Sequence, residues 1–426
     1  MVNLAERLRT LVTRVVGTEL PVAFEAWDGS RAGDSGLPTL RITTPTALRR
    51  LLWRPGELGA AQAYILGEID VVGDLAEVFP AVWRAVRYSG GRPRVRPRHV
   101  AAALRLALRY GVLGAPPPAP DPQAVMTGRL HSRDRDRAAV GFHYDLSNDF
   151  YRLILDPRMV YSCGYWTGGG GGYGLAEAQY DKLELVCRKL GLRRGTRMLD
   201  VGCGWGALAM HAAEHHGAEV TAVTLSLQQY EFAVARAEEL GLSDRIDFRL
   251  SDYRDLAGAR YEAISTIEMG EHVGGNGYPA FAARLWSLLE PGGRLLVQQM
   301  SRGADAPGGG AFIESYIAPD MHMRPVGQTV DLLERPGLEV REVQSLREHY
   351  VTTVRCWLET LEERWREAVS LVGEPTARVW RLYLIGGALA FEEGRMGVDQ
   401  ILAVRPDTDG RSGMPSTPEW TAVGAR

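Results

Sequence analysis

The sequence predicts an α/β protein: a doubly wound, Rossmann-like parallel sheet with helical insertions, preceded by a smaller N-terminal α+β domain. Three observations carry this. From about Arg197 short apolar runs alternate with helical periodicities, a glycine-rich turn closes the first run, and a proline-rich stretch sets this half apart from an arginine-rich N-terminal part.

The first run, Met198-Leu-Asp-Val, has the near-continuous apolar character of a strand buried on both faces, and a helix follows to Ala213. Glu219-Val-Thr-Ala-Val-Thr is the second strand, with a helix to Leu240. Ile246-Asp-Phe-Arg-Leu is the third and Tyr261-Glu-Ala-Ile-Ser-Thr-Ile the fourth. Arg294-Leu-Leu-Val-Gln-Gln is the fifth, after a helix and a Pro291-Gly-Gly turn. Late strands at 338–343 and 399–404 would complete the sheet, with a helical block, 354–391, between them.

Ahead of this half, Leu4, Leu8, Leu11, Val12, Val15 and Val16 recur at helical spacing, so the chain opens with an amphipathic helix. Strands at 22–25 and 40–43 flank a Gly/Asp-rich turn, and Thr46 starts a helix with Leu48, Leu51 and Leu52 apolar. Pro116, Pro117, Pro118, Pro120 and Pro122 mark a stiff linker. The expected domains are therefore 1–120 and 121–426.

Composition bounds the function classes. The chain has 426 residues, 45% hydrophobic and 24% charged, which excludes wholesale disorder, a collagen-like repeat and a disulfide-stapled mini-protein. Cys163, Cys187, Cys203 and Cys356 are scattered, with no Cys-x-x-Cys pair and no Cys/His spacing for zinc, so no metal site is expected and a reducing cytoplasm fits. The opening Met1-Val-Asn-Leu-Ala-Glu-Arg-Leu-Arg lacks a signal core. No run approaches the roughly 20 apolar residues of a membrane span, so any membrane contact is from the side.

The net charge of −3 hides an asymmetry. Between Val78 and Pro120 there is no Asp or Glu, but there are Arg84, Arg87, Arg92, Arg94, Arg96, Arg98, Arg105 and Arg109; this +8 stretch leaves −11 for the rest. The helical part, 99–110, would lay Leu104, Leu106 and Leu108 near lipid while Arg105 and Arg109 meet phosphates. A solvated or internally paired face is the alternative. No aromatic interleaving or recognition motif supports nucleic acid.

Leu199-Asp-Val-Gly-Cys-Gly-Trp-Gly ends the first strand of the sheet and opens a helix. Gly202, Gly204 and Gly206 let the backbone pass close to a ligand. Asp200 stands two residues before the first glycine, and the loop carries no basic residue for phosphate, so a dinucleotide or ATP fits poorly. The pattern resembles the first motif of S-adenosylmethionine-dependent methyltransferases. Many of these carry an acid at the end of the second strand; here Thr224 and Gln229 stand in that region instead.

Further motifs follow in order: His143-Tyr-Asp-Leu-Ser-Asn-Asp-Phe-Tyr, Met159-Val-Tyr-Ser-Cys-Gly-Tyr-Trp, the glycine loop, Val223-Thr-Leu-Ser with Gln229, Asp252-Tyr-Arg-Asp-Leu, and Glu268-Met-Gly-Glu-His-Val-Gly. Together they resemble the cyclopropane-fatty-acyl-phospholipid synthase family, including relatives that methylate unsaturated lipid acyl chains. The resemblance covers roughly residues 58 to 405, and 64–75 resembles the family's N-terminal lipid-side domain. It implies that Tyr161, Ser162, Asp200, Gly202, Gly204, Gly206, Thr224, Gln229, Asp252 and Tyr253 bind S-adenosylmethionine. It further implies that Cys163, Glu271 and Tyr350 surround a bound bicarbonate. Where well-studied synthases carry a histidine on the fifth strand, this chain has Gln298, which donates a hydrogen bond but cannot become a cation. Glu268 stands where many synthases have a small residue.

The resemblance implies methyl transfer to the cis double bond of an unsaturated phospholipid acyl chain, through a carbocation, to a cyclopropane or a methylene branch. The site must align the reactants and exclude water. Tyr165, Trp166, Tyr350 and Glu271 are candidates to stabilise positive charge. Cys163 by itself reads more readily as a small buried residue than as a nucleophile. The expected location is cytoplasmic, held peripherally on the anionic inner face of the cell membrane; a homo-oligomer is left open. The rival readings are methylation of a soluble small molecule by the same fold, and a lipid-binding protein without catalysis.

Overall fold

The computed structural model describes residues 2–88, 96–121, 123–124, 126–144, 146–304, 308–417 and 420. Arg92 and Arg94 of the basic stretch, and Asp145 of the His143 motif, lie outside them. The chain divides into two compact units: residues 1–123 with 373–385, and residues 124–372 with 386–426.

The first unit carries helices α1 (Leu4–Val16), α2 (Thr46–Trp53), α3 (Glu57–Ile65), α4 (Leu75–Tyr88) and α5 (Pro97–Arg109). Its sheet has strands β1 (Ala23–Glu25), β2 (Arg31–Ala32), β3 (Thr39–Ile42) and β4 (Ile69–Val72) in the order β2-β1-β3-β4. Helix α1 starts where Asn3 accepts from the Glu6 N–H and stops at Gly17, whose φ of 90° suits a residue without Cβ. Its Leu4 and Leu8 pack on Val22, Phe24, Ile42 and Leu48. Arg50 and Glu68 pair through two 2.8 Å hydrogen bonds in the interior.

One expectation for α5 is corrected here. Leu106 lies in the core of this unit, while Leu104 and Leu108 face outward with Arg105 and Arg109. Leu104 and Leu108 are four apart and share a face; Leu106, two residues from each, points to the opposite face.

The second unit begins with α6 (Arg133–Tyr144), α7 (Asn148–Ile154) and α8 (Leu175–Leu190). Alternation follows: β5 (Arg197–Val201), α9 (Ala207–His216), β6 (Glu219–Thr224), α10 (Leu227–Glu239), β7 (Ile246–Leu250), β8 (Tyr261–Ile267), α11 (Tyr278–Leu288), β9 (Leu289–Arg302). Helices α12 (Ala311–Tyr316) and α13 (Val326–Glu334), strand β10 (Glu339–Ser345), helices α14 (Arg347–Glu363) and α15 (Trp365–Glu392), and strand β11 (Met396–Val404) complete the chain order. The seven strands run β10-β11-β9-β8-β5-β6-β7. Strands β5 to β9 are mutually parallel, and β11 is antiparallel to both its neighbours. Apolar layers cover the sheet: Leu183, Val186 and Leu208 belong to one, Phe281, Leu285 and Leu333 to another.

Two details differ from expectation. The Pro291-Gly-Gly segment lies inside β9 rather than before it, as an irregularity where pairing jumps from Tyr261–Leu289 to Ala263–Arg294. A Cβ at Gly293 would stand 2.9 Å from the Glu290 carbonyl oxygen and 3.0 Å from that of Glu262, so only glycine fits the bulge. The expected helical block is α14 plus α15, and α15 is broken at Gly373 (φ 78°, ψ 155°), two residues before Pro375.

Strand β5 lies between β6 and β8. The chain builds outward through β6 and β7, then returns to the other side of β5. The segments leaving β5 and β8 therefore diverge, which opens a crevice at the carboxyl ends of the strands.

Candidate active site

The turn after β5 is shaped by what it lacks. Gly202, Gly204 and Gly206 have φ of 77°, 55° and 86°, a region that side chains disfavour. A Cβ on Gly202 would come within 3.0 Å of the Met269 side chain, and one on Gly206 within 2.8 Å of the Phe248 ring. The N–H groups of Gly202 and Cys203 both donate to the Val223 carbonyl at 3.0 Å, which ties the turn to β6.

In front of this turn lies a cavity of about 440 Å³. Tyr161, Ser162, Asp200, Gly202, Gly204, Thr224, Gln229, Asp252 and Tyr253 line it, so every residue expected at the cofactor except Gly206 is gathered there; Gly206 instead caps α9. The polar groups are prearranged. Asp200 accepts from the Ser265 hydroxyl at 2.7 Å, and burial pushes its carboxyl up to about 6. Thr224 donates to Gln229 Oε1 at 2.8 Å. Burial opposes the charge on Asp252, but the Arg254 fork wins and holds the carboxyl below its ordinary value. A turn of left-handed glycines that itself carries no basic residue, flanked by buried acids, suits S-adenosylmethionine better than a phosphate ligand.

Lys182 was not foreseen. Its Nζ donates to Ser162 Oγ at 3.0 Å beside the cavity, and burial lowers its pKa. A signal existed: Lys182 and Lys189 are the only lysines in the chain, and both are buried on α8. His131 and His272 also line the cavity, and burial drives His272 down to about 4, so it is neutral.

The segment after β8 is shaped by a side chain. Glu268 has φ of 52°, unusual for a residue with a Cβ, and it is among the residues that line the cavity. Oε1 accepts from the Cys163 N–H at 2.9 Å and from Gln298 Nε2 at 2.9 Å; Oε2 accepts from the Tyr350 hydroxyl at 2.5 Å. Gln298 Oε1 in turn accepts from Gln400 Nε2 at 2.9 Å, a bond that crosses from β11 to β9. Burial raises the Glu268 pKa, and these three donors moderate the rise.

Three of the four expected catalytic residues, Cys163, Gln298 and Tyr350, thus converge on Glu268. Cys163 does so through its backbone; its thiol faces the carbonyl oxygens of Gly164 (3.2 Å) and Leu346 (3.6 Å), and burial pushes its pKa up. The fourth, Glu271, is fully buried off the cavity wall. Its Oε1 accepts from the Met300 N–H at 2.5 Å, Oε2 has no hydrogen-bond partner among the described residues, and burial together with the Glu268 charge pushes it up to about 8. The expected aromatic pair is also displaced: Tyr161 and Trp205 line the cavity, whereas Tyr165 stacks on His349 and Trp166 donates to Thr353.

Of the three residues that the resemblance assigned to bicarbonate, Cys163 and Tyr350 already donate to Glu268 and Glu271 lies off the cavity wall, so these residues do not fit bicarbonate. The sequence held the clue in two departures, glutamate for a small residue at 268 and glutamine for histidine at 298, which turn out to be in contact.

Comparison with known proteins agrees with this geometry. Residues 131–401 match the family model described as mycolic acid cyclopropane synthetase. The chain is 36% identical over 410 residues to a Mycobacterium tuberculosis protein named "Probable fatty acid methyltransferase", covering 94% of this chain and 95% of the relative. It is 30% identical over 394 residues to the cyclopropane-fatty-acyl-phospholipid synthase of Escherichia coli, covering 92% and 93%. A mycolic acid cyclopropane synthase solved with SAH and CTAB superposes with a TM-score of 0.58 and 31% identity over 63% of this chain and 97% of that one.

Proposed function

The chain belongs to this family of S-adenosylmethionine-dependent methyltransferases acting on lipids, and from that premise we propose that it methylates the cis double bond of an unsaturated phospholipid acyl chain with Glu268 as its base. The observation that carries this is the Glu268 carboxylate, held by Cys163, Gln298 and Tyr350 at the cavity wall.

S-adenosylmethionine supplies an electrophilic methyl: the alkene π electrons form the new carbon–carbon bond, the sulfur–methyl pair returns to sulfur, and a cation is left on the acyl chain. The protein's part is positional and electrostatic. The glycine turn, Tyr161 and Asp252 bind and orient the donor. The faces of Tyr161 and Trp205 and the Glu268 carboxylate stabilise positive charge while excluding water that would trap it. A Glu268 carboxylate oxygen then takes a proton. If the proton leaves the new methyl and its electron pair closes a ring, the product is a cyclopropane; if a hydride shifts first, the pair forms an exocyclic methylene. A raised pKa makes the ionised carboxylate a stronger base.

The reading extends to a peripheral contact with anionic membrane. In the first unit Arg84, Arg87, Arg96, Arg98, Arg105 and Arg109 are exposed, as are Val100, Leu104 and Leu108 on α5. Among the described residues no helix is long and apolar enough to cross a membrane.

The test is expression in a host lacking such an enzyme, with a methyl-labelled donor and mass spectrometry of the fatty acids. Acyl chains heavier by one labelled carbon unit support the proposal, and ozonolysis separates a methylene, which it cleaves, from a cyclopropane. Label confined to soluble metabolites would sink it.

A further inference from the structure

The second unit holds a cluster of metal-ligating side chains that lies off the cavity wall and takes no part in the chemistry above. Helix α8 supplies Glu184 and Cys187, three residues apart on one face; α9 supplies His211 and, as its last residue before Gly217, His216. Ligand atoms of Cys187, His211 and His216 all lie within 4.8 Å of one another. Glu184 Oε2 stands 3.2 Å from His211 Nε2 and 3.0 Å from His216 Nε2.

We propose that Glu184, Cys187, His211 and His216 form a binding site for a tetrahedral divalent cation of the zinc class, which staples α8 to α9. With bonds of about 2.0–2.3 Å, the ligand atoms of tetrahedral zinc stand about 3.3–3.8 Å apart, so small movements bring Cys187, His211 and His216 to that spacing, and Glu184, already beside both imidazoles, supplies the fourth ligand. A thiolate, two imidazoles and a carboxylate are a donor set for zinc and exclude the oxygen-only cations. The thiolate and the carboxylate balance the double positive charge. On binding, the Cys187 S–H bond gives up its proton to solvent and the sulfur pair goes to the metal.

The surroundings suit this use. Arg188 Nε donates to Glu184 Oε1 at 2.6 Å, which turns Oε2 toward the histidines. The Tyr180 ring meets the His211 ring edge-on at 5.0 Å and fixes its plane. Cys187 is a buried free thiol, whereas the side chains of Glu184 and His216 are 15% and 16% exposed and give the ion an entrance. Both stapled helices serve the cavity: α9 starts at the glycine turn, and α8 carries Lys182, which reaches Ser162.

The experiment uses the full-length, untagged protein stripped with a chelator and titrated with Co(II) as a spectroscopic probe. The expected result is one bound equivalent, with the visible bands of a tetrahedral ion and a thiolate-to-cobalt charge-transfer band, all displaced by Zn(II). Cys187→Ser should lose the charge-transfer band, and His216→Ala should weaken Co(II) binding at least about tenfold. Retained S-adenosylmethionine binding by both variants shows that they fold. Absence of the bands in the unaltered protein, or an unchanged charge-transfer band in Cys187→Ser, would overturn the proposal and leave Glu184 as a simple hydrogen-bond bridge between two histidines.

Discussion

The two segments that leave β5 and β8 line one cavity and are built by opposite means. The first makes room by omitting side chains at Gly202, Gly204 and Gly206; the second forces a side chain, Glu268, into a left-handed backbone so that its carboxylate meets donors from three distant places. The difference separates binding from chemistry. A site for a cofactor can be built from local backbone, while a base needs an environment assembled from Cys163, Gln298 and Tyr350.

This division can be broken by substitution. Glu268→Gln keeps the shape and removes the base; turnover should fall about 10²–10⁴-fold while S-adenosylmethionine affinity, read by calorimetry, stays within a few-fold. Near-normal turnover would remove Glu268 from the mechanism. Gly202→Ala is the converse: its Cβ meets Met269 and its φ of 77° is strained, so cofactor affinity should drop about tenfold or more. Adding Met269→Ala should recover the part due to the Met269 Cγ, but not the part due to its Cβ, which would stand 3.1 Å away, nor the backbone part; no recovery would place the clash elsewhere.

Tyr350→Phe sharpens the comparison. It deletes a donor that lowers the Glu268 pKa, so the acid limb of the pH–kcat profile should move to higher pH. An unmoved limb would mean that the hydroxyl does not act on the base. Glu271 should act on stability rather than on turnover, since its pKa is about 8 in the folded protein against an ordinary value of 4.5. Between these values the folded protein binds the extra proton, so stability falls as pH rises, at a limiting slope of about 1.4 kcal/mol per pH unit, and levels above pH 8. Glu271→Gln should flatten this decline in urea unfolding between pH 6 and 9. An identical slope in both proteins would show that Glu271 does not titrate in that window.

What the sequence made legible follows the same division. Periodicity located the parallel strands, because burial on both faces leaves its mark on consecutive residues, and the glycine turn was readable because φ and close approach restrict residue type locally. Leu106 was misplaced because two-residue spacing was read along a helix whose face repeats at three and four. The Gly373–Ile385 segment belongs to the first unit although it lies far along the chain, a fact no local pattern carries. Glu268 and Gln298 each stood out as a departure, yet their partnership rests on a 2.9 Å contact between β9 and the end of β8. The cluster around Cys187 stayed hidden because its ligands come from two helices separated by a strand, so no motif spacing relates them.

The amide pair behind Glu268 has a consequence for timing. Gln400 hands its N–H to Gln298, and Gln298 hands its own to the carboxylate. Neither amide takes up a proton at neutral pH, so this chain of bonds holds the base in place but cannot drain it. In the proposed reaction the proton that Glu268 gains must therefore leave by a route other than these two amides before the next turnover can begin.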